Sequence, residues 1–220
     1  MHYFLFFSSR TKSITTSLPS TSFSSTLNCW ILSKEKPPPF TNLPYECNHR
    51  GDKMYQTIEG FLKTWKYEAD STQKVLDALT DESLTQEIAP GHWTLGRVAW
   101  HIVTAIPVML SGTGLQFEEE TKDSPVPTSA KTIAENYRKV NTAFVEAIQT
   151  QWTDKDLTTI NDFFGRPMPN SIFLMTLINH QNHHRGQMTV LMRQAGLKVP
   201  GIYGPTKEEW DATGMEAPKM

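Results

Sequence analysis

Cysteine is nearly missing from this 220-residue chain: there are two, Cys29 and Cys47, both within the first 53 residues. From Met54 onward there is none, which excludes a disulfide framework, a thiolate metal site and a cysteine nucleophile from that part. The same absence agrees with a reducing, cytoplasmic setting. Strong charge of either sign is lacking too. The net charge is −2, and because the first 53 residues hold six of the 21 Lys/Arg and three of the 23 Asp/Glu, the remainder carries −5. A mildly acidic domain offers no basic face for nucleic acid, and no partner of that kind or membrane surface is expected. No apolar run approaches the roughly 20 residues that crossing a bilayer takes. A Gly-rich phosphate loop and a Gly-x-Ser-x-Gly elbow are also absent.

What is present divides at Met54. Residues 8–28 are mostly Ser, Thr and Leu without helical or strand period, and Pro37-Pro38-Pro39 follows. Such a segment cannot bury a core, so residues 1–53 are read as an unstructured extension. Arg50-Gly51-Asp52-Lys53 can be encoded by a purine-rich tract just upstream of the Met54 codon, as a ribosome-binding site translated by mistake would be. Met54 is therefore the expected true start, with a disordered or targeting leader as the alternative. A native N-terminal peptide mapping before Lys53 would contradict it.

From Met54 to Met220 the apolar period is helical. Ile58, Phe61, Leu62, Trp65, Thr72, Val75, Leu76 and Leu79 make one stripe, which predicts a helix from about Gln56 to Leu79. A second helix begins at Leu95 with Thr94 as its N-cap, and Pro107 should kink it or end it early. Residues 112–128, with the acidic Glu118-Glu119-Glu120, read as an exposed loop. A third helix starts near Ser129 or Thr132, where Thr132 and Glu135 match a capping box. Thr158–Asn170 suits a short hairpin turning at Phe164-Gly165-Arg166. The fourth helix runs from Ser171 to about Gln194, with Asn170 as N-cap and Gly196 as stop. Its inward row is Phe173, Leu177, His180, His184, Met188, Leu191 and Ala195. The tail from Leu197 should pack loosely or cap one end. The fold class is all-α: a four-helix bundle, with a short β-hairpin before the last helix.

The chemistry concentrates in His180-Gln181-Asn182-His183-His184-Arg185-Gly186-Gln187. On a helix His180 and His184, spaced i, i+4, project from one face and can grip one divalent transition metal. His101, beside the apolar stripe of the second helix, can complete a three-nitrogen site. The plainer reading of such a pair is surface solvation or a hydrogen bond in the core. Three features tip the balance: the pair faces inward, four of the five histidines after Met54 belong to this cluster or are His101, and no thiolate competes. His183 points about 100° away and suits a surface or outer hydrogen bond; His92 reads as a loop residue. Arg185 suits either steering of an anionic substrate or a salt bridge to a neighbouring helix. Gly186 costs a helix about 1 kcal/mol relative to Ala, which suggests close approach of a helix or ligand, or simple tolerance. A metalloprotease of the His-Glu-x-x-His type is excluded, because Gln181 stands at the Glu position and His183 at the position the inverted motif needs.

Trp93-Thr94-Leu95-Gly96 leading to Ala99-Trp100-His101-Ile102, with Leu177-Ile178-Asn179-His180 and His183-His184-Arg185-Gly186-Gln187, resembles the DinB/YfiT-like family of small bacterial metal-binding four-helix bundles. The resemblance covers nearly all of residues 54–215. It implies a three-histidine site for Zn, Ni or a similar divalent ion on His101, His180 and His184, and a homodimer. Relatives include thiol-dependent S-transferases and an isomerase that use a low-molecular-weight thiol cofactor. Three protein ligands leave a coordination position open, which suits a metal-dependent thiol-transferase or hydrolase acting on a small-molecule substrate. The rival readings are a non-catalytic metal-binding bundle for stress response or interaction, and a plain bundle with histidines as core filler. No carboxylate can be placed beside the triad, so no general base is assigned.

Overall fold

The computed structural model describes residues 55–117, 124–214, 216 and 218–219. The extension over residues 1–53 and the Glu118-Glu119-Glu120 triplet lie outside them. Four helices dominate: α1 (Ile58–Asp77), α2 (Leu95–Leu110), α3 (Ala130–Gln151) and α4 (Asn170–Gln194). Two short strands, β1 (Ile160–Asp162) and β2 (Pro167–Pro169), precede α4. The main packings are α1 and α2 each against both α3 and α4. Around the bundle the order is therefore α1, α3, α2, α4, and α2 and α4 are brought side by side.

Local chemistry sets these boundaries. Thr57, Thr94 and Ser129 are extended residues whose hydroxyls accept from the amides of Gly60, Arg97 and Thr132 at 3.0, 3.1 and 3.4 Å. Ser129 is thus the cap of α3, and Thr132 and Glu135 fall inside its first turns. The start of α4 departs from expectation. Asn170 is its first residue rather than its cap, because its side chain is engaged elsewhere: it donates to the Asp156 carbonyl at 3.0 Å and accepts from Asn161 at 2.9 Å. At the other end Gly196 takes φ +77°, with Leu197 N–H bonded to Met192 O and Gly196 N–H to Arg193 O. That pair of bonds closes the helix as a Schellman motif.

Pro107 does not end α2, which continues to Leu110. Leu95–Thr113 is, among the described residues, long and apolar enough to cross a membrane, contrary to the expectation that no run comes near that length. The reason is visible in the bundle: 72% of that stretch is buried inside it, and a helix apolar all round is a core helix when its neighbours cover it. Phe61, Trp65 and Phe144 form the aromatic centre between α1 and α3, with ring centroids 5.1–6.1 Å apart. The Trp65 indole donates to Asn141 at 2.7 Å, which removes its polar cost.

The hairpin is present. Ile160 pairs with Pro169 and Asp162 with Pro167, and Phe163 and Arg166 exchange backbone hydrogen bonds. Phe164 and Gly165 both have positive φ, 50° and 84°, which makes a type I′ turn. Gly112, just beyond α2, lies so close to the hairpin that a Cβ there would sit 2.4 Å from the Asp162 carbonyl oxygen. The 112–128 loop is less exposed than its composition suggests: Thr113 and Leu115 are buried, and the Trp100 indole holds the Ser124 carbonyl at 3.1 Å. Nor is the tail loose. Val199 is buried, Tyr67 donates to the Ile202 carbonyl at 2.6 Å, and Tyr203 donates to Glu68 at 2.7 Å.

Candidate metal centre

α2 carries His101 and α4 carries His180 and His184, and the side-by-side packing of these two helices brings all three together. Their ligand nitrogens lie within 4.8 Å of one another. The Nε2 of His180 is 3.3 Å from that of His101 and 3.2 Å from that of His184. A tetrahedral zinc with nitrogen ligands at about 2.0–2.1 Å sets its ligands roughly 3.3–3.4 Å apart, so the donor set fits such an ion. The electrostatics fit as well. His101 and His180 are both held down to about 4, from an ordinary value near 6.5, by burial first and then by the neighbouring imidazoles. His184 is lowered by burial too, although its hydrogen bond to Gln187 opposes this. Three neutral imidazoles with converging nitrogens are what a divalent cation requires. The buried Nδ1 of His180 has no hydrogen-bond partner among the described residues, so the ring is oriented by packing and by its Nε2 contacts to the other two histidines.

A folded-state value below the unfolded one means that the unfolded chain binds more protons between pH 6.5 and 4. The metal-stripped protein should therefore lose stability as pH falls through that window, and the loss should be complete below about pH 4. Urea midpoints measured in EDTA across pH 7 to 4 check this; a flat profile would contradict the buried neutral triad.

Gln187, quoted in the sequence motif without a role, is a candidate site residue in the structure. Its Oε1 lies 2.7 Å from Nδ1 of His184, and its Nε2 lies 3.2 Å from Nε2 of the exposed His183. The amide carbonyl accepts the Nδ1 proton of His184 and leaves Nε2 bare toward the site, the orienting role that outer-shell partners play for metal-bound imidazoles. The signal available was the i, i+3 spacing from His184, which places both on one side of α4. Replacing Gln187 by leucine should weaken zinc binding about 10- to 100-fold, read by competition with a chromophoric chelator. Unchanged affinity would deny the amide that role.

Two other polar residues of the octapeptide turn away from the histidines. Arg185 resolves to the salt-bridge reading: it is 2% exposed and pairs with Glu68 of α1 at 2.7 Å. Its guanidinium also reaches Thr72, Asn182 and the Tyr203 hydroxyl. Gln181, fully buried, accepts from Thr72 at 3.1 Å and from Tyr137 at 2.9 Å. Burial raises the Tyr137 phenol well above its usual range, so it stays a neutral donor. α4 thus has two working faces, one toward the histidine site and one locked to α1 and α3.

Solvent reaches the triad from two sides. One cleft of about 770 Å³ is lined by His184, Gly186, Gln187 and Val190, with His92 at its wall. A second of about 550 Å³ is lined by His101, His180, Arg97 and Phe163. Trp93 stands between them, half exposed, its ring 5.2 Å from His101 and 6.5 Å from His184. No Asp or Glu lines either cleft among the described residues. No helix approaches Gly186 closely; a Cβ there would meet nothing within 4 Å. Its backbone carries no strain either, so Gly186→Ala should stabilise the metal-stripped protein by about 0.5–1 kcal/mol in urea unfolding. A loss of stability would show a constraint that the cleft does not reveal.

A four-helix bundle with three histidine nitrogens converging under an open cleft defines a class, the helical bundles with a histidine triad placed to hold a metal ion. Within that class the chain belongs to the DinB family, whose sequence pattern matches residues 54–220. It is 61% identical over 167 residues to the Bacillus subtilis (strain 168) protein YrdA, described as uncharacterized; the match covers 76% of this chain and all of YrdA. A DinB-like protein from Bacillus cereus ATCC 10987, known by crystal structure, is 87% identical with a TM-score of 0.67, over 68% of this chain and all of that one. Another DinB-like structure, YjoA from Bacillus subtilis, is 16% identical with a TM-score of 0.51, over 65% of this chain and 97% of that one, and shows the fold alone.

Proposed function

We propose that this protein is a metal-dependent transferase that holds one zinc or nickel ion on His101, His180 and His184 and acts on a small molecule with a low-molecular-weight thiol. The observation that carries this reading is the open side of the triad. The three Nε2 atoms converge, no fourth His or acidic side chain joins them among the described residues, and two clefts reach them. A divalent ion there supplies a Lewis acid that lowers the proton affinity of a thiol and favours the thiolate. The chain's own residues prepare for that chemistry. Burial keeps His101 and His180 unprotonated, Gln187 fixes the ring of His184, and Trp93, Val98 and Leu191 give the larger cleft an apolar wall.

Hydrolysis, the rival reaction, benefits from a positioned general base. The acid-free lining of both clefts favours thiol transfer, in which a thiolate attacks without one. The same lining is the observation on the side of a non-catalytic metal-binding bundle for stress response or interaction. We place the protein in the cytoplasm as a homodimer, for which exposed Ile160, outside both clefts, offers apolar surface.

The test uses zinc-loaded and nickel-loaded protein, cysteine as the thiol and 1-chloro-2,4-dinitrobenzene as the acceptor. A carbon–sulfur bond forms, chloride leaves, and the thiol proton passes to solvent. Loaded wild type should form the conjugate faster than the stripped protein, and His184→Ala should not. Equal rates for wild type and His184→Ala would overturn the transferase reading.

A further inference from the structure

Among the described residues Arg97 has no counter-charge. Its side chain takes part in no hydrogen bond or ion pair among them, and it lies over the face of Trp93, with Cζ 5.2 Å from the ring centroid. It is only partly exposed and lines the smaller cleft with His101 and His180. No acidic residue lines that cleft among the described residues. Stacking on an indole engages the face of a guanidinium, while its five N–H donors lie in the plane and stay available. Arg97 and His101 are spaced i, i+4 on α2, so both project from the same side of that helix.

We propose that this cleft takes a substrate with an apolar body and a carboxylate, and that Arg97 binds the carboxylate. The inference rests on the transferase reading and names the class of its acceptor. A single planar fork matches a carboxylate in bidentate geometry. A phosphate dianion would ask for further cations or converging amides, and among the described residues no other Lys or Arg lines the cleft. The remaining wall, from Trp93, Ala105, Val108, Met109 and Phe163, is apolar and suits a hydrocarbon or aromatic body. Among the described residues no Lys or Arg lines the larger cleft, which reaches the triad at His184 instead. The two clefts therefore divide two substrates between them, the thiol on the His184 side and the carboxylate-bearing acceptor on the His101 side.

The test is an NMR titration of 2-naphthylacetate and its uncharged amide into wild type, Arg97→Gln and Arg97→Lys. It is run on both metal-stripped and zinc-loaded protein, because a carboxylate can also bind a metal directly. In the stripped wild type the acid should bind at least about tenfold more tightly than the amide, as expected for one charge-assisted pair. Arg97→Gln should erase that preference while binding the amide as wild type does, and Arg97→Lys should keep part of it. Equal binding of acid and amide, or a preference that survives Arg97→Gln, would overturn the proposal. The two readings fail separately. An Arg97-dependent preference in a protein that takes up no zinc removes the transferase and leaves the anion site. Zinc uptake without that preference does the reverse.

Discussion

His184→Ala should weaken zinc or nickel binding by at least about 100-fold, more than the 10- to 100-fold loss expected for an outer-shell partner. His184 is the member of the site whose ring lies nearest both others by centroid, 4.4 Å from His180 and 4.6 Å from His101. Its Nε2 stands 3.2 Å from that of His180, and it alone of the three is held by a side-chain amide. Without it, His101 and His180 remain as a two-nitrogen grip on different helices, with the orphaned Nδ1 of His180 doing nothing to steady the ring. Thermal unfolding gives an independent reading. A ligand that binds only the folded state raises stability by RT ln(1 + [L]/Kd), about 2.7 kcal/mol at a hundredfold excess over Kd. Added zinc should therefore raise the melting temperature of wild type by several degrees and leave His184→Ala unmoved. A variant that still responds to zinc as wild type does would place the metal elsewhere.

Arg185→Met should cost about 3–5 kcal/mol of stability, the loss that follows when one partner of a buried ion pair is removed. The side chains of Arg185 and Glu68 are only 3% and 10% exposed, so Glu68 would be left without its cation. An exposed pair would contribute only about 0–1 kcal/mol, and burial is what separates the two expectations. Urea unfolding should be measured in EDTA for both proteins, so that metal binding does not add to the difference. Arg185→Met combined with Glu68→Leu should recover much of the loss, because the apolar pair leaves no buried charge behind. A single-variant loss below about 1 kcal/mol would mean that water reaches the pair.

The fold was readable because its apolar stripes repeat at helical period and three of its helix starts have hydroxyl caps. Ile133, Tyr137, Val140, Phe144, Ala147 and Ile148, one stripe in the sequence, are all buried. The histidine site was readable for the same reason: i, i+4 spacing on an amphipathic helix says which face the rings share. What stayed hidden depends on neighbours distant in sequence. Nothing local says that Arg185 meets Glu68, 117 residues away, or that Tyr203 folds back onto both. Asn170 looked like a cap because its residue type suits one, and it lost that role to partners in the preceding turn and strand. Trp93 showed only as part of the string that carries the family resemblance, and Arg97 was not singled out in the sequence. Trp93 reaches its place between the clefts from the segment just before α2, where Gly91 takes φ +81°, and Arg97 reaches its cleft from the first turn of α2.

The most direct test is the metal content of purified protein, measured by mass spectrometry after reconstitution with zinc or nickel and removal of excess ion. One ion per chain is expected in wild type and in His183→Ala, whose ring is exposed and outside the triad. Each of His101→Ala, His180→Ala and His184→Ala should bind far less. No stoichiometric metal in wild type, or full metal retained after His184→Ala, would contradict the three-histidine centre.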